Sequence, residues 1–303
     1  MADSVVSVNY SDMHFALKNG INMPAVGFGT FRLTDYDLLY KTIDYALEAG
    51  YRLFDTAAVH ANEKHLKTIF KKLLPQHGLV REDIFVTTKL SPFSNGGKFL
   101  PDAFERSLEN LGLDYIDLYL IHFPGSPDRS CDQKSSKHAK LRRETWLALA
   151  KLYDESKVKA IGVSNFTVRH LMQLSEIMVM GPMVNQVEWH PYYYQPELIQ
   201  YCCDHNIKIQ AYHSFGGLSR GNRDLLEDPV VKEIAKKYDA TSAQVLLIWA
   251  LQKGIAVIPK STNPYHIKKN KQLHFRLFEK DVMILDELRA KNQKYAWDPT
   301  GIA

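Results

Sequence analysis

The stretch GYRLFDTAAVHANEKHLKTIFKKLLPQHG, residues 50–78, contains a complete strand-and-helix unit, and the rest of the chain repeats it. The apolar run YRLFDTA is typical of a strand that is buried on both faces, and its polar end begins at Asp55. Apolar residues then recur at helical spacing through NEKHLKTIFKKLL, which predicts a helix that Pro75 ends. A chain built from such units alternates strands with helices.

Seven further apolar runs have the same character, and at least one predicted helix separates each from the next. They are AVGFGT, DIFVTTKL, YIDLYLIHFP, KAIGVSNF, MVNQVEWHP, KIQAYHSF and GIAVIPKS. Buried strands joined by helical crossovers form a parallel sheet, and eight such units make a TIM barrel of about 250 residues. An open doubly wound sheet is the alternative, but GFGT lacks the third glycine of its phosphate-binding fingerprint. We therefore predict an α/β protein with a (β/α)8 TIM barrel.

The segments outside the repeat predict an N-terminal β-hairpin and long loops. HFALKNGINMP suggests two short strands around Asn19-Gly20, a dipeptide suited to a tight turn. The segment 125–140, after the fourth strand, has the weakest pattern, so we expect it to form a functional loop at the C-terminal face of the barrel, together with 215–228. No linker or composition shift divides the chain, and residues 1–303 are predicted to form a single domain.

The charge balance is mild, with 38 basic and 34 acidic residues, a formal net charge of +4 and a pI of about 8.7. The lysines recur throughout the chain instead of forming a basic arm, so we expect no nucleic-acid partner. The cysteines Cys131, Cys202 and Cys203 have no zinc or redox spacing, and no metal site is predicted. The N-terminus lacks a signal-peptide pattern, and no apolar run approaches the roughly 20 residues that span a membrane. We expect a cytoplasmic monomer with no membrane partner.

Polar residues end nearly every predicted strand. In chain order they are Thr30, Asp55, Lys89, His122, Ser164, Asn165, Gln186, Tyr212, Ser214 and Lys260. A barrel places its active site at the C-terminal ends of its strands, so these side chains are expected to converge on one rim. A single polar residue at a strand end is usually only solvated, whereas polar residues at nearly all of the strand ends indicate a functional site.

These motifs resemble those of the aldo-keto reductase superfamily, whose members are NAD(P)H-dependent carbonyl reductases on a (β/α)8 barrel. The resemblance covers nearly the whole chain, from MPAVGFGT to the C-terminal tail. It is carried by GYRLFDTA followed by NE, VTTKL, LGLDYIDLYLIHFPG, IGVSNF, NQVEWHPY, LLEDPVVKEIAKKY, and VIPKST followed by IKKN. The resemblance implies an enzyme that reduces an aldehyde or ketone to an alcohol, with NADPH as its cofactor and a small-molecule carbonyl as its substrate.

The resemblance also implies roles for individual residues. Asp55, Lys89 and His122 match three of the four catalytic positions of the family, and Tyr212 matches the residue that stacks on the nicotinamide ring. Ser164, Asn165 and Gln186 match the contacts to the nicotinamide carboxamide. The other predicted cofactor-binding residues are Lys260, Ser261 and Thr262 for the 2′-phosphate, Asn270 for the adenine, and the strand-end residues Thr30, Asp55 and Ser214. A dianionic phosphate needs a cation with hydroxyl donors, which the Lys260 segment supplies.

Two departures from the family pattern matter for the chemistry and the cofactor, whereas a third, Phe123 where a tryptophan often sits, changes the shape of the pocket. The fourth catalytic position is a tyrosine five residues after the aspartate, and this chain has His60 there. His266 stands where relatives that prefer NADPH usually carry an arginine, and a histidine is only partly charged at neutral pH and cannot form a bidentate fork. We include His60 among the catalytic residues and His266 among the cofactor-binding ones, with Lys268 or Lys269 as a compensating cation.

The histidine at position 60 leaves the identity of the proton donor open. As an imidazolium, His60 is a strong acid, although Lys89 would lower its pKa while Asp55 would oppose that change. As a neutral imidazole it still donates an N–H to the carbonyl oxygen. His122 or a water molecule is another candidate donor. If none of these serves, the protein is an NADPH-binding barrel with little turnover, in a regulatory or sensor role.

The two histidines and Lys89 also suggest a positively charged pocket. We therefore expect a substrate with negative charge beside the carbonyl, such as an α-keto acid or a sugar-derived keto-uronate. Arg129 and Arg220 lie in predicted loops from which they could meet a carboxylate.

Two further stretches lie near the predicted rim. Trp297, in the tail KYAWDPTGIA, either lines the pocket or packs on the barrel exterior.

Another type of barrel enzyme, such as a phosphate-binding lyase, would need a glycine-rich phosphate loop, for which SFGGLSRGN is a faint match.

Overall fold

The chain begins with the predicted hairpin. A computed structural model describes residues 8–126, 132–177 and 180–303. Strand β1 (His14–Ala16) pairs antiparallel with β2 (Asn22–Pro24). Gly20 in the turn has a φ of 85°, a conformation that glycine adopts without steric strain.

Eight parallel strands form the second sheet. They are β3 (Phe28–Gly29), β4 (Leu53–Asp55), β5 (Phe85–Leu90), β6 (Ile116–Ile121), β7 (Val158–Ser164), β8 (Val184–Glu188), β9 (Lys208–Tyr212) and β10 (Ala256–Val257). Each strand pairs with the next in chain order. A parallel bridge between Val26 and Val257 joins the two ends of the sheet, and the Gly27 N–H donates to the Val257 carbonyl at 2.8 Å. The sheet thus closes into the predicted barrel.

Helices connect the strands and follow the last of them. They are α1 (Tyr36–Glu48), α2 (Glu63–Gln76), α3 (Leu100–Leu111), α4 (Lys137–Asp154), α5 (Val168–Ser175), α6 (Pro196–Asp204), α7 (Asp224–Glu227), α8 (Pro229–Lys237), α9 (Ser242–Gln252), α10 (Pro264–Lys271) and α11 (Glu279–Glu287). Helix α4 begins inside the segment 125–140. Its start was not predicted, because this segment is polar and lacks a helical pattern of apolar residues.

The predicted end of α2 was wrong by one residue, because the helix continues through Pro75 to Gln76. A proline inside a helix removes one backbone hydrogen bond. In the last turn that loss is tolerated, since the N–H of the C-cap residue His77 still donates to the carbonyls of Leu73 and Leu74 at 3.0 and 3.1 Å.

The strands supply the core of the barrel. All six residues of β5 and all six of β6 are buried, as expected of strands that are covered on both faces. Gly162 on β7 marks a close approach of two strands, because a Cβ atom there would lie 2.5 Å from the Val184 carbonyl oxygen on β8. Because the strands pack so tightly, the positions of their ends are fixed, and so are the positions of the side chains that follow them.

The closed sheet also bears on the organisation of the chain. Because the first barrel strand pairs with the last, we propose that the chain forms a single domain. None of the helices in the described ranges is both long and apolar enough to cross a membrane.

Candidate active site

Asp55 and Lys89 form a buried ion pair near the C-terminal ends of β4 and β5. The Lys89 Nζ atom lies 2.7 and 2.8 Å from the two Asp55 carboxylate oxygens, and it donates a third hydrogen bond to the Thr56 carbonyl at 2.8 Å. Burial lowers the pKa of Lys89, and the Asp55 carboxylate opposes that change. The three contacts account for all three N–H bonds of the ammonium, which is therefore held in one position.

Amide contacts extend this pair across the barrel. Gln186, on β8, donates from Nε2 to Asp55 Oδ2 at 2.7 Å and to Gln210 Oε1 at 2.7 Å. Gln210 lies opposite Gln186 in the register of β8 and β9, and it is fully buried. Gln210 was not among the predicted site residues, although a glutamine inside the apolar run KIQAY was the available signal.

His60 lies on a short 3-10 turn, Ala58–His60, that follows β4. Ala61, the next residue, has a left-handed φ of 57°, which turns the chain into α2. His60 is buried between two rings, its centroid 5.0 Å from that of Phe31 and 5.8 Å from that of His122. The turn thus brings the two histidines together beside the ion pair.

Both imidazoles are neutral at ordinary pH. Burial first, then the charge of Lys89, and then the neighbouring His122 ring hold the pKa of His60 well below 6.5. Burial and the charge of Lys89 do the same to the pKa of His122. Within the described ranges, Nδ1 of each ring is buried without a hydrogen-bond partner. A proton on Nδ1 would leave a buried donor without an acceptor, so we place the proton of each ring on Nε2.

Asn62, two residues after His60, holds the strand ends together. Its Nδ2 atom donates to the Thr30 carbonyl at 3.0 Å and the Leu33 carbonyl at 3.1 Å, and its Oδ1 atom accepts from the Thr56 hydroxyl at 2.6 Å. The Thr30 hydroxyl donates to the Asp55 carbonyl at 2.9 Å. In this structure the Thr30 side chain therefore supports the end of β4.

Tyr212, Asn165 and Ser164 form a connected group at the ends of β9 and β7. The Tyr212 hydroxyl donates to Asn165 Oδ1 at 2.5 Å, and Asn165 Nδ2 donates to the His122 carbonyl at 2.9 Å. Asn165 has a left-handed φ of 63°, which is uncommon for a residue other than glycine. The Ser164 hydroxyl donates to the Gln186 carbonyl at 2.8 Å. These contacts fix the orientation of the Tyr212 ring.

Lys260 follows β10 and begins the loop that leads to α10. Burial, and to a smaller extent the charge of Arg32, lower its pKa. Ser261 Oγ accepts from the Asn263 N–H at 3.1 Å, and Asn263 Oδ1 caps α10 by accepting from the His266 N–H at 3.2 Å. The loop therefore offers a cation beside a helix N-terminus, where an anion is favoured.

A cavity of about 500 Å³ connects these groups. The predicted residues that line it are Asp55, His60, Lys89, His122, Asn165, Gln186, Tyr212, Ser214, Arg220, Lys260, Ser261 and Thr262. Four predicted cofactor-binding residues do not line it, namely Thr30, Ser164, His266 and Asn270, and their contact with a cofactor stays a prediction. Arg129 lies outside the described residues.

Apolar side chains that the sequence analysis had not assigned form another part of the wall. They include Phe31, Val59, Phe215 and Leu218. Trp297 also lines the cavity, which decides between its two predicted positions. Phe215 and Leu218 lie in the predicted loop 215–228, whereas Phe31 and Val59 come from two other loops, so no local sequence pattern marked these three loops as neighbours.

The glycines of SFGGLSRGN have a packing role. A Cβ atom at Gly217 would lie 2.6 Å from Cδ1 of the Tyr295 ring, and one at Gly216 would lie 3.1 Å from its Cε2. The two glycines therefore make room for Tyr295. This packing explains why they are glycines, without any role in phosphate binding.

Known proteins share this fold and much of this sequence. The family model described as "Aldo/keto reductase family" matches residues 25–290. The chain is 41% identical over 284 residues to a 9,11-endoperoxide prostaglandin H2 reductase of Trypanosoma cruzi (strain CL Brener), covering 93% of each chain. It is 38% identical to a glyoxal reductase of Bacillus subtilis (strain 168), covering 93% of this chain and 95% of the relative. The crystal structure of a Bombyx mori aldo-keto reductase in complex with NADP has a TM-score of 0.85 at 33% identity, over 94% of each chain.

Proposed function

The chain belongs to the aldo/keto reductase family and is a carbonyl-reducing oxidoreductase with a nicotinamide cofactor, and we propose that this cofactor is NADPH. We propose further that Asp55, Lys89, His60 and His122 form the reducing site. The observation that carries the proposal is the cavity itself, in which the ion pair, the two imidazoles and the Lys260 loop face one space.

The residues present fit the nicotinamide part of the cofactor. Ser214 Oγ is buried without a partner among the described residues, although Ser214 lines the cavity, so it is available to a ligand. Asn165 and Gln186 present amides to the same space, and Tyr212 presents an oriented aromatic ring. When bound, the cofactor supplies the hydride.

This chain stabilises the charge that develops on the carbonyl oxygen with N–H donors. With their protons on Nε2, His60 and His122 are two neutral donors to one oxygen. The Lys89 ammonium adds a fixed positive charge close enough to lower the pKa of both rings. Asp55 keeps that ammonium charged, because its carboxylate opposes the effect of burial on the pKa of Lys89. We assign the final proton to water from the mouth of the cavity.

Oxidation of NADPH tests the function. We would measure turnover with a neutral aldehyde, a neutral ketone, an α-keto acid and a keto-uronate, and NADPH binding in parallel. Turnover of at least one carbonyl is the expected result. Bound NADPH without any turnover would contradict the reductase assignment and would indicate the cofactor-binding barrel with little turnover.

Selectivity for an acidic or sugar-derived carbonyl, an α-keto acid or a keto-uronate, rests on Arg220. Its side chain is exposed and lines the cavity, whereas the two histidines contribute no charge when neutral. We expect kcat/KM to be about tenfold higher for an α-keto acid than for a neutral ketone of the same size, because one charge-assisted hydrogen bond is gained. In Arg220→Gln that difference should disappear. Equal values in the parent protein would contradict the prediction.

Removing the Lys260 charge should weaken the binding of NADPH but not that of NADH. Lys260→Met should raise KM for NADPH about 10- to 100-fold, the effect of one hydrogen bond to a charged group, and leave KM for NADH within about twofold. The steady-state KM of both cofactors is the measurement. Lys236→Met, an exposed lysine on α8 outside the cavity, is the matched control. An equal rise for both cofactors would show that Lys260 does not meet the 2′-phosphate.

A further inference from the structure

Trp297 stands at the mouth of the cavity beside the proposed reducing site. Its ring centroid lies 5.2 Å from that of His122 and 5.6 Å from that of Phe123. It is 46% exposed, whereas the three other tryptophans, Trp146, Trp189 and Trp249, are at most 1% exposed. Trp297 therefore has a large apolar surface that no described part of the chain covers.

Glu188, at the end of β8, holds the segment that carries Trp297. Its carboxylate is fully enclosed, and each oxygen accepts two hydrogen bonds. Oε1 accepts from the Tyr295 N–H at 2.6 Å and pairs with His190 Nε2 at 3.1 Å. Oε2 accepts from Lys294 Nζ at 2.6 Å and the Ala296 N–H at 2.9 Å. Three of the four partners are the consecutive residues that precede Trp297.

The same segment is fixed on both sides of these contacts. The Tyr295 ring packs against the backbone of Gly216 and Gly217 in the loop after β9. Beyond Trp297, Arg142 Nη2 donates to the Ala303 carbonyl at 2.6 Å, and His170 Nε2 lies 2.9 Å from the Ile302 carbonyl. The tail is thus tied to the barrel before and after Trp297.

Aromatic rings flank the two histidines on both sides. Phe31 packs on His60 at a centroid distance of 5.0 Å, and Trp297 packs on His122 at 5.2 Å. Phe31 is 39% exposed and Val59 is 38% exposed, and both line the cavity with Trp297. Apolar surface that is exposed at a cavity mouth is the kind of surface that a flat apolar ligand covers.

We infer that Glu188 is a positioning residue that holds Trp297 over the cavity, and that Trp297 selects carbonyl compounds with an aromatic ring next to the carbonyl group. This inference rests on the proposed function, since it concerns which carbonyl the reducing site receives. The ring of the substrate packs between Phe31 and Trp297 while its oxygen meets the two histidines.

The kinetic test compares two aldehydes, benzaldehyde and propanal. In Trp297→Ala the ratio of kcat/KM for benzaldehyde to that for propanal falls about tenfold, the size of one aromatic contact, and Trp297→Phe recovers most of it. Glu188→Gln lowers the same ratio through KM for benzaldehyde, with kcat for propanal retained. In this variant an amide NH2 replaces one of the two carboxylate oxygens. At either position the NH2 faces two of the donors that the carboxylate accepted from, so the anchor opens.

One variant controls for a general loss of structure, and a second takes the place of Glu188→Gln if that variant does not fold. Asp228 is another buried carboxylate that holds the C-terminal part of the chain, through Lys291 just before the tail at 2.7 Å, but it lies outside the cavity wall. Asp228→Asn leaves the selectivity ratio within about twofold of the parent. If Glu188→Gln does not fold, Lys294→Met removes one of the four partners and lowers the ratio in the same direction by a smaller factor. An equal fall for both aldehydes in every folded anchor variant, or no change in Trp297→Ala, overturns the inference.

Tryptophan fluorescence supplies a readout that needs no turnover. Trp297 is the exposed tryptophan, so collisional quenching by acrylamide reports on it. With NADP+ present, the unreactive carbonyl benzamide protects Trp297 from quenching, and acetamide, which lacks the ring, does not. Glu188→Gln loses that protection. Protection without any carbonyl turnover would defeat the proposed function but keep this inference, whereas turnover without protection would overturn the inference alone.

Discussion

Lys89→Met should lower kcat about a thousandfold, while NADPH binding changes by no more than about twofold. The ammonium is the fixed positive charge beside both imidazoles, and loss of one preorganised electrostatic group at a developing oxyanion costs about a hundred- to a thousandfold in kcat. The same substitution leaves the Asp55 carboxylate buried with Gln186 as its remaining side-chain donor. A buried charge without its partner costs about 3–5 kcal/mol of stability. Stopped-flow kinetics and thermal unfolding measure the two effects.

Two variants separate lost chemistry from lost stability. The double substitution Asp55→Asn/Lys89→Met removes both charges, so it should recover much of the stability but none of the activity. Lys237→Met breaks an ion pair of the same length, 2.7 Å to the buried Asp281, outside the cavity, and should leave kcat unchanged. Full activity in a folded Lys89→Met protein would remove Lys89 from the reducing site.

His60→Leu should lower kcat about a hundredfold or more, because one of the two N–H donors to the carbonyl oxygen is lost. His60→Gln should stay within about tenfold of the parent, since the glutamine side-chain amide can place an N–H near the position of His60 Nε2. Single-turnover rates with saturating NADPH measure the chemical step directly. If His60→Leu is as fast as the parent protein, the donor is His122 or water, and His60 is a structural residue.

The alternation of strands and helices could be predicted because it depends on local spacing. YRLFDTA and NEKHLKTIFKKLL each carry their own period, and eight such units leave few ways to bury every strand. The positions of Asp55 and Lys89 followed directly, since each stands at or next to the end of an apolar run and the barrel rim gathers those ends. The family motifs then gave each rim residue an expected role.

What could not be predicted depends on contacts between distant segments. The neutral state of His60 follows from burial under Phe31 and from the distances to Lys89 and His122, none of which a sequence contains. Gln210 meets Gln186 through the register of two strands. Glu188 reaches Tyr295 across more than a hundred residues, so the anchor of the tail had no local signal.

We propose that a neutral histidine donates to the carbonyl oxygen in an NADPH-dependent reductase, and the pH dependence of kcat distinguishes this donor from an imidazolium. We would measure kcat for one aldehyde between pH 6.5 and about 8.5 in the parent protein and in His60→Tyr. Because the pKa of each histidine lies well below 6.5, neither ring changes charge in this range. We expect a constant kcat in the parent protein and a slower His60→Tyr variant. A parent kcat that falls about tenfold with each pH unit would show an imidazolium donor, and a parent that binds NADPH but turns over only as His60→Tyr would contradict the claim.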